Sequence, residues 1–511
     1  MCAMARSDPA PGMVPGPFPR AADALARLER MFDRCFGARA NPWRHLGALG
    51  FHLFWIVVAS GAYLYVVFDT SVTGAWQSVH ALSVEQPWAG GLMRSVHRYA
   101  AAAFALVLLF HVVCEFLRGR YAGPRWFTWL TGIPLLWLAL ASGVVGYWLA
   151  WDQRALFSVV ATMEWLDASG LFGGLLARNF LVPDSVDDRL FSLFVFLHIG
   201  LPLMLLLGTW VHVKRLARPA TQPARALGMG TLAMLVLLAL VAPAGSDAPA
   251  DTLRVVSALQ IDWFYLAAHA LMYETSPQAL WGLVLALTLG IGACPLLARG
   301  RRPVPAAVDP DHCNGCRRCF ADCPYGAISM RAHPDARVGV ELAVVDAALC
   351  TACGICAGAC PSSTPFRNVR ELATGIDMPQ QPVSVLRDRL TEQLGRLSEC
   401  APIVVFGCCN GVEVESLRAA DTAVLSLLCA GQLPPSFVEY ALRQGAAAVV
   451  IATCPEGGCA YRLGQRWTAE RFAGRREPRL RARVPRGRVR VVGCAAHELA
   501  ALRGEIDTLR A

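Results

Sequence analysis

Long apolar runs crowd the first three hundred positions, and short alternating runs follow them. The long runs fall near residues 47–68, 96–117, 127–150, 191–213, 227–243 and 279–297. A membrane-crossing helix needs about 20 mostly apolar residues. Five runs meet that length; 227–243 is short but is flanked by Arg225 and a Pro-Ala-Gly turn, and it still reads as a span. Residues before 47 are rich in Pro, Ala and Arg, so no cleavable signal peptide is expected. Far along the chain, Ile403–Phe406, Val424–Leu428, Ala447–Ala452 and Val489–Val492 read as strands. Pro435–Gln444, Leu463–Phe472 and Ala496–Leu509 between and after them read as helices. That alternation predicts a small parallel-sheet α/β domain.

The chain has 511 residues, 55% hydrophobic and 17% charged, which suits a membrane region joined to soluble modules. Alternate loops are basic. Arg20, Arg27, Arg30, Arg34, Arg39 and Arg44 precede the first run, and Arg118, Arg120 and Arg125 follow the second. Lys214, Arg215, Arg218 and Arg225 follow the fourth, and Arg299, Arg301 and Arg302 the sixth. The other loops are rich in acids. The positive-inside rule then puts both termini in the cytoplasm. The net charge of +9 is accounted for by this topology, and no motif points to nucleic acid.

Four histidines carry the chemistry of the apolar part. His97 and His111 share one run, His198 and His212 another, and each pair is spaced by fourteen. On a helix that is about 21 Å of rise and within about 40° of a whole number of turns. Each pair therefore lies on one stripe at two depths. With the two helices side by side, His97 meets His198 at the outer level and His111 meets His212 at the inner one. Such sites suit haem iron. Gly47 and Gly61, and likewise Gly132 and Gly146, are also fourteen apart and would leave room at those levels.

The cysteines come later. Cys313, Cys316, Cys319 and Cys323-Pro324 form one run, and Cys350, Cys353, Cys356 and Cys360-Pro361 a second. This is the two-cluster bacterial ferredoxin pattern, in which the fourth cysteine of each run serves the other cluster. One [4Fe–4S] cluster is expected on Cys313, Cys316, Cys319 and Cys360. The other is expected on Cys350, Cys353, Cys356 and Cys323. Disulfides are not expected in a reduced cytoplasmic module.

Residues 41–214 resemble the N-terminal half of cytochrome b from bc-type quinol complexes. The resemblance is carried by Arg94-Ser95-Val96-His97-Arg98 and by Gly146-Tyr147-Trp148-Leu149-Ala150-Trp151-Asp152-Gln153, where the family usually has proline in place of Ala150. It implies that Arg94 and Arg98 lie near haem propionates. The stretch Ile261-Asp262-Trp263-Phe264-Tyr265-Leu266 stands where the family has Pro-Glu-Trp-Tyr. By that resemblance Asp262 would accept a quinol proton, although the missing proline and tyrosine weaken the match. Leu428-Cys429-Ala430-Gly431 and Cys454-Pro-Glu-Gly-Gly-Cys459 resemble the delta subunit of methyl-viologen-reducing hydrogenase. That family implies a [2Fe–2S] cluster. Its leading Cys-Asn points to Cys409, with Cys429, Cys454 and Cys459, and leaves Cys408 as the alternative to Cys409.

The expected fold is therefore multi-domain: an α-helical transmembrane di-haem bundle of about six spans, then a ferredoxin-like α+β module, then a small α/β parallel-sheet domain. Its expected bounds are a cytoplasmic N-terminal segment (1–40), a cytochrome b-like domain (41–298), the ferredoxin module (299–367), a linker (368–400) with a helix near 384–398, and the delta-subunit-like domain (401–511). The expected cofactors are two haem b, two [4Fe–4S] and one [2Fe–2S], with quinone as substrate. The chain carries no dinucleotide fingerprint, P-loop or nickel motif. Terminal chemistry would then belong to a cytoplasmic flavin- or metal-containing partner. The expected setting is a bacterial cytoplasmic (inner) membrane, and the cytochrome b resemblance implies a homodimer. The alternative function is a membrane-anchored iron–sulfur docking or sensing module without quinone turnover.

Overall fold

The computed structural model describes residues 18–122, 125–180, 186–253, 259–297, 304–335, 340–366, 372–397 and 401–510. Arg299, Arg301 and Arg302 lie outside them.

The first part is helical: α1 (Pro19–Phe36), α2 (Leu46–Val67), α3 (Ala75–Val84), α4 (Leu92–Leu117), α5 (Trp126–Trp148), α6 (Gln153–Asp167), α7 (Asp188–Val213), α8 (Arg225–Val241), α9 (Ala267–Glu274) and α10 (Pro277–Leu297). Among the described residues five helices are long and apolar enough to cross a membrane: Leu46–Val67, Pro87–Leu117, Trp126–Trp148, Asp188–Val213 and Pro277–Leu296. The expected span at 227–243 is the shorter helix Arg225–Val241. Its 17 residues rise only about 26 Å at 1.5 Å each, short of a 30 Å hydrocarbon core.

Local chemistry sets the helix ends. Asp187 caps α7 by accepting from the Leu190 amide, and Asp152 caps α6 by accepting from Ala155. The bundle packs in pairs, α2 on α4 and α5 on α7. Small residues line the seams, with Ala100, Ala105 and Ala139 buried. In lipid this close approach supplies the packing that water-driven burial supplies elsewhere.

The soluble part holds β1 (Ala307–Val308), α11 (Arg318–Asp322), β2 (Ile328–Ala332), β3 (Glu341–Val345), α12 (Ile355–Ala359) and β4 (Ile376–Asp377). Strands β2 and β3 pair antiparallel, as do β1 and β4. Then come α13 (Val383–Arg396), β5 (Ile403–Cys408), β6 (Thr422–Leu427), α14 (Pro435–Arg443), β7 (Ala448–Thr453), α15 (Gly464–Phe472), β8 (Val489–Gly493) and α16 (Leu499–Arg510). Strands β5 to β8 form one parallel sheet in the order β6-β5-β7-β8. Helices cover both faces, which is why β5 and β7 read as continuous buried apolar runs.

The segment expected as a linker is more than that. In α13, Val383, Leu386, Leu390 and Leu394 are buried at helical spacing, and they join a core shared by the ferredoxin module and the parallel sheet. On the exposed edge, Gln393 bonds both the amide and the carbonyl of Val424, which blunts strand β6.

Candidate functional site

Helices α4 and α7 bring His97 and His198 together, with ring centres 6.3 Å apart and planes crossed at 71°. Two imidazoles binding one metal from opposite sides, at roughly 2.0–2.1 Å per bond, hold their ring centres about 6.3 Å apart. A cavity of about 800 Å³ opens around them, lined among others by Gly61, Gly146, Arg94, Arg98 and Arg154. That is room for a large planar ligand.

The glycines act on the histidines directly. A Cβ on Gly61 would lie 3.0 Å from His97 Cε1, and one on Gly146 would lie 2.8 Å from His198 Cε1. The second level repeats the arrangement: a Cβ on Gly47 would lie 3.5 Å from His111 Cε1, and one on Gly132 3.3 Å from His212 Cε1. Each missing side chain clears an imidazole.

The carbonyl four residues before a glycine then receives the ring. His97 Nδ1 lies 3.1 Å from the Val57 carbonyl, and His198 Nδ1 lies 3.1 Å from that of Ser142. His212 bonds the Thr128 carbonyl. Ser60 and Thr131 Oγ add contacts at 3.0 and 3.1 Å to His97 and His212. With Nδ1–H donated to a carbonyl, Nε2 keeps its lone pair for a metal and the ring orientation is held. The donor set fits haem iron. Sequence reasoning missed these acceptors; a hydroxyl residue directly before a glycine, at 60–61 and 131–132, was the one available signal.

Arg94 reaches Ser83 Oγ at 2.7 Å and Ser246 Oγ at 2.8 Å. Arg154, unnoticed in the sequence, pairs with Asp247 at 2.6 Å. Arg98 pairs with Asp262 at 2.6 Å and contacts the Tyr147 hydroxyl. Asp262, expected as a proton acceptor, sits at the centre of a hydrogen-bonded cluster. Its carboxylate already receives Arg98, the Tyr147 hydroxyl at 2.6 Å and the amides of Phe264 and Tyr265 at 2.8 and 2.7 Å. Four donors make it an anchor for the 261–266 turn.

In the soluble part, Cys319 is within electrostatic reach of Cys313, Cys316 and Cys360, and Cys356 of Cys323, Cys350 and Cys353. The two expected sets are thus brought together. Each loop turns through left-handed residues at matching offsets, Gly315 and Arg317 in one, Ala352 and Gly354 in the other. Burial pushes the thiols of Cys319 and Cys353 up to about 12, so at neutral pH they carry protons unless a metal displaces them. Among the described residues no three such side chains converge on a single ion; a cluster spreads its ligands around a larger body.

A third set gathers at the carboxyl ends of β5, β6 and β7, where ligands collect in parallel sheets. Cys408 and Cys454 sulfurs are 3.7 Å apart. Cys429 bonds Cys408 and Cys459, and Cys454 bonds Cys459. The set therefore contains Cys408, the alternative to Cys409. Alternation explains the place of Cys408: Val404, Phe406 and Cys408 face the shared core, while Ile403 and Val405 face the opposite one. Cys408→Ser should abolish the low-temperature EPR signal of this site, and Cys409→Ser should retain it. The site also excludes bulk, since a Cβ on Gly464 would lie 2.2 Å from Cys429 Sγ.

With this geometry in place, residues 32–219 match the family Cytochrome b/b6/petB. Cytochrome b6 of Euglena gracilis is 33% identical over 179 residues, which span 34% of this chain and 83% of that protein. This chain belongs to the cytochrome b/b6 family. Its cytochrome b part is also 30% identical over 170 residues to the menaquinol:cytochrome c reductase cytochrome b subunit of Bacillus subtilis (strain 168), covering 31% of this chain and 74% of that one. A solved structure titled Hyperthermophilic respiratory Complex III aligns at TM-score 0.41 and 18% identity, over 55% of this chain and 83% of its own. Beyond the cytochrome b part, residues 312–364 match the 4Fe-4S dicluster domain, and residues 404–511 match the methyl-viologen-reducing hydrogenase, delta subunit. Cytochrome b implies haem b, and the dicluster match implies iron–sulfur clusters. In the cytochrome b part, Gly146→Val should cost the outer-level haem, because its side chain meets His198. Reductive titration of the visible spectrum should then show a smaller b-type absorption per protein than in the native chain.

Proposed function

We propose that the chain is the membrane subunit of a quinone-linked oxidoreductase. It exchanges electrons between quinone and a cytoplasmic redox partner through haem and iron–sulfur centres. In this reading His97 with His198 and His111 with His212 hold two haem b, and Arg94, Arg98 and Arg154 face the outer-level propionates. Cys313, Cys316, Cys319 and Cys360 hold one [4Fe–4S], and Cys323, Cys350, Cys353 and Cys356 the other. Cys408, Cys429, Cys454 and Cys459 hold a [2Fe–2S].

The observation that carries the reading is the opposed His97–His198 pair, 6.3 Å between ring centres with both Nδ1 atoms tied to carbonyls beside a large cavity. The basic end of the helical part supports it. Arg125, in a loop the positive-inside rule assigns to the cytoplasm, bonds Tyr325 and Ala460 of the cysteine-rich part.

The test is kinetic. Membranes holding the protein are mixed with a quinol analogue while the b-type absorption is followed. Reduction of haem on mixing is the expected result, and haems that neither reduce nor reoxidise would overturn the proposal.

A further inference from the structure

Chain order puts the four-thiol site of Cys408, Cys429, Cys454 and Cys459 last, after both ferredoxin-type sets. Contacts order the sites differently. The loop between Cys454 and Cys459 lies on the helical part beside the inner histidine level. Glu456 pairs with Arg39 at 2.7 Å. Gly457, at φ +74°, stands so close to His45 that a Cβ would lie 3.0 Å from Cε1 of that ring. A Cβ on Gly458 would lie 2.8 Å from an Arg44 nitrogen. His45 directly precedes α2, and two residues on is Gly47, the glycine set against His111.

A second bridge leads to the same place. Arg125 donates to the Ala460 carbonyl, next to Cys459, at 2.6 Å, and to the Tyr325 hydroxyl at 3.0 Å. Its other face lies 3.8 Å from Glu115, four residues and so one helical turn beyond His111. Arg462 completes the joint, reaching the carbonyls of Ala217 at 3.1 Å and Pro324 at 2.6 Å. By contrast, among the described residues the ion pairs around Cys313 and Cys316 stay within the soluble part: Asp309–His312, Arg317–Glu341 and Arg318–Glu477. Cys316 itself is exposed.

We infer that the Cys454–Cys459 loop, clamped by Arg125 and seated on His45, makes the C-terminal four-thiol site an immediate neighbour of the His111–His212 level. The Cys313/Cys316/Cys319/Cys360 set is the outlying one. Arg125 is a positioning residue here: its hydrogen bonds fix the backbone next to Cys459 and the Tyr325 side chain near Cys323. This inference rests on the functional reading above, in which those residues hold haem and clusters.

The experiment uses the full-length holoprotein, oxidised and then radiolytically reduced at low dose at liquid-nitrogen temperature, so that only a small fraction of centres gains an electron and most reduced clusters face ferric haem. The EPR signal lost in Cys459→Ser reports the four-thiol site, and the signal lost in Cys316→Ser reports the outlying set. A nearby paramagnetic iron speeds spin relaxation. The Cys459-dependent signal should relax several-fold faster in the native protein than in His212→Ala, while the Cys316-dependent signal changes little. The same contrast is expected within the native protein between ferric and diamagnetic ferrous haem, which needs no haem-site variant. Arg125→Met should slow the Cys459-dependent relaxation while leaving every spectrum at full amplitude. Equal relaxation with and without ferric haem, or a larger effect on the Cys316-dependent signal, would overturn the inference. A native preparation lacking the b-type band or the Cys459-dependent signal would instead overturn the functional reading beneath it.

Discussion

If the two histidine levels hold haem as proposed, replacing His111 with Ala should remove the inner b haem and leave the outer one, together with the full iron–sulfur spectrum. The expectation follows from how the inner level is built. His212 is held by the Thr128 carbonyl and by Thr131 Oγ at 3.1 Å, so its ring cannot swing across to replace a lost partner. Gly47 leaves the space beside His111 open, and Ala at 111 widens it further without supplying a ligand. The haem-to-protein ratio by pyridine haemochrome should fall by half, and an unchanged ratio would refute the pairing. Thr131→Val gives a graded comparison. It removes one supporting contact but keeps the carbonyl, so affinity should drop by roughly the 10–100-fold typical of lost ligand support, or less.

Arg471→Met should loosen the union of the ferredoxin module with the parallel-sheet domain by about 3–5 kcal/mol, the usual cost of removing one partner from a buried ion pair. Arg471 is fully buried. It donates to Asp322 at 2.5 Å, to the Gly431 carbonyl at 2.8 Å and to the Ile355 carbonyl at 3.3 Å. These three points adjoin Cys323, Cys429 and Cys356, so one guanidinium ties three cysteine loops. Arg476 also binds Asp322 and stacks 3.4 Å over the Trp467 ring, so the carboxylate keeps one partner. Loss of visible iron–sulfur absorbance in urea should shift to lower concentration. Arg471→Lys should fall between, because an ammonium keeps the charge but not the planar fork. A midpoint unchanged in the Met variant would show the ion pair to be dispensable.

What could be read from the sequence followed regular periods. The fourteen-residue spacing of histidines and glycines survives any error in helix bounds, because it depends only on the helical repeat. The two CxxCxxC runs likewise specify their loops through local spacing. Features that depend on tertiary register were not legible. The choice between Cys408 and Cys409 turns on which face of β5 meets the core, a one-residue question that adjacent cysteines leave open. Arg471 sits in a helix whose polar sequence, Gly-Gln-Arg-Trp-Thr-Ala-Glu-Arg-Phe, reads as surface, and only the arrival of Asp322 from another module buries it. Backbone carbonyls that hold the histidines have no letter in the sequence at all. The ion pair of Asp262 was not legible because its partner, Arg98, lies 164 positions away.

The joint between the two halves speaks mostly to main chain. Arg462 grips the carbonyls of Ala217, Arg218 and Pro324, and Arg125 that of Ala460. Every amino acid offers the same oxygen, so positions 217, 218 and 460 can drift without unfastening the halves. The constraint collects instead on the two donors and on Gly457 and Gly458, whose missing side chains clear His45 and Arg44.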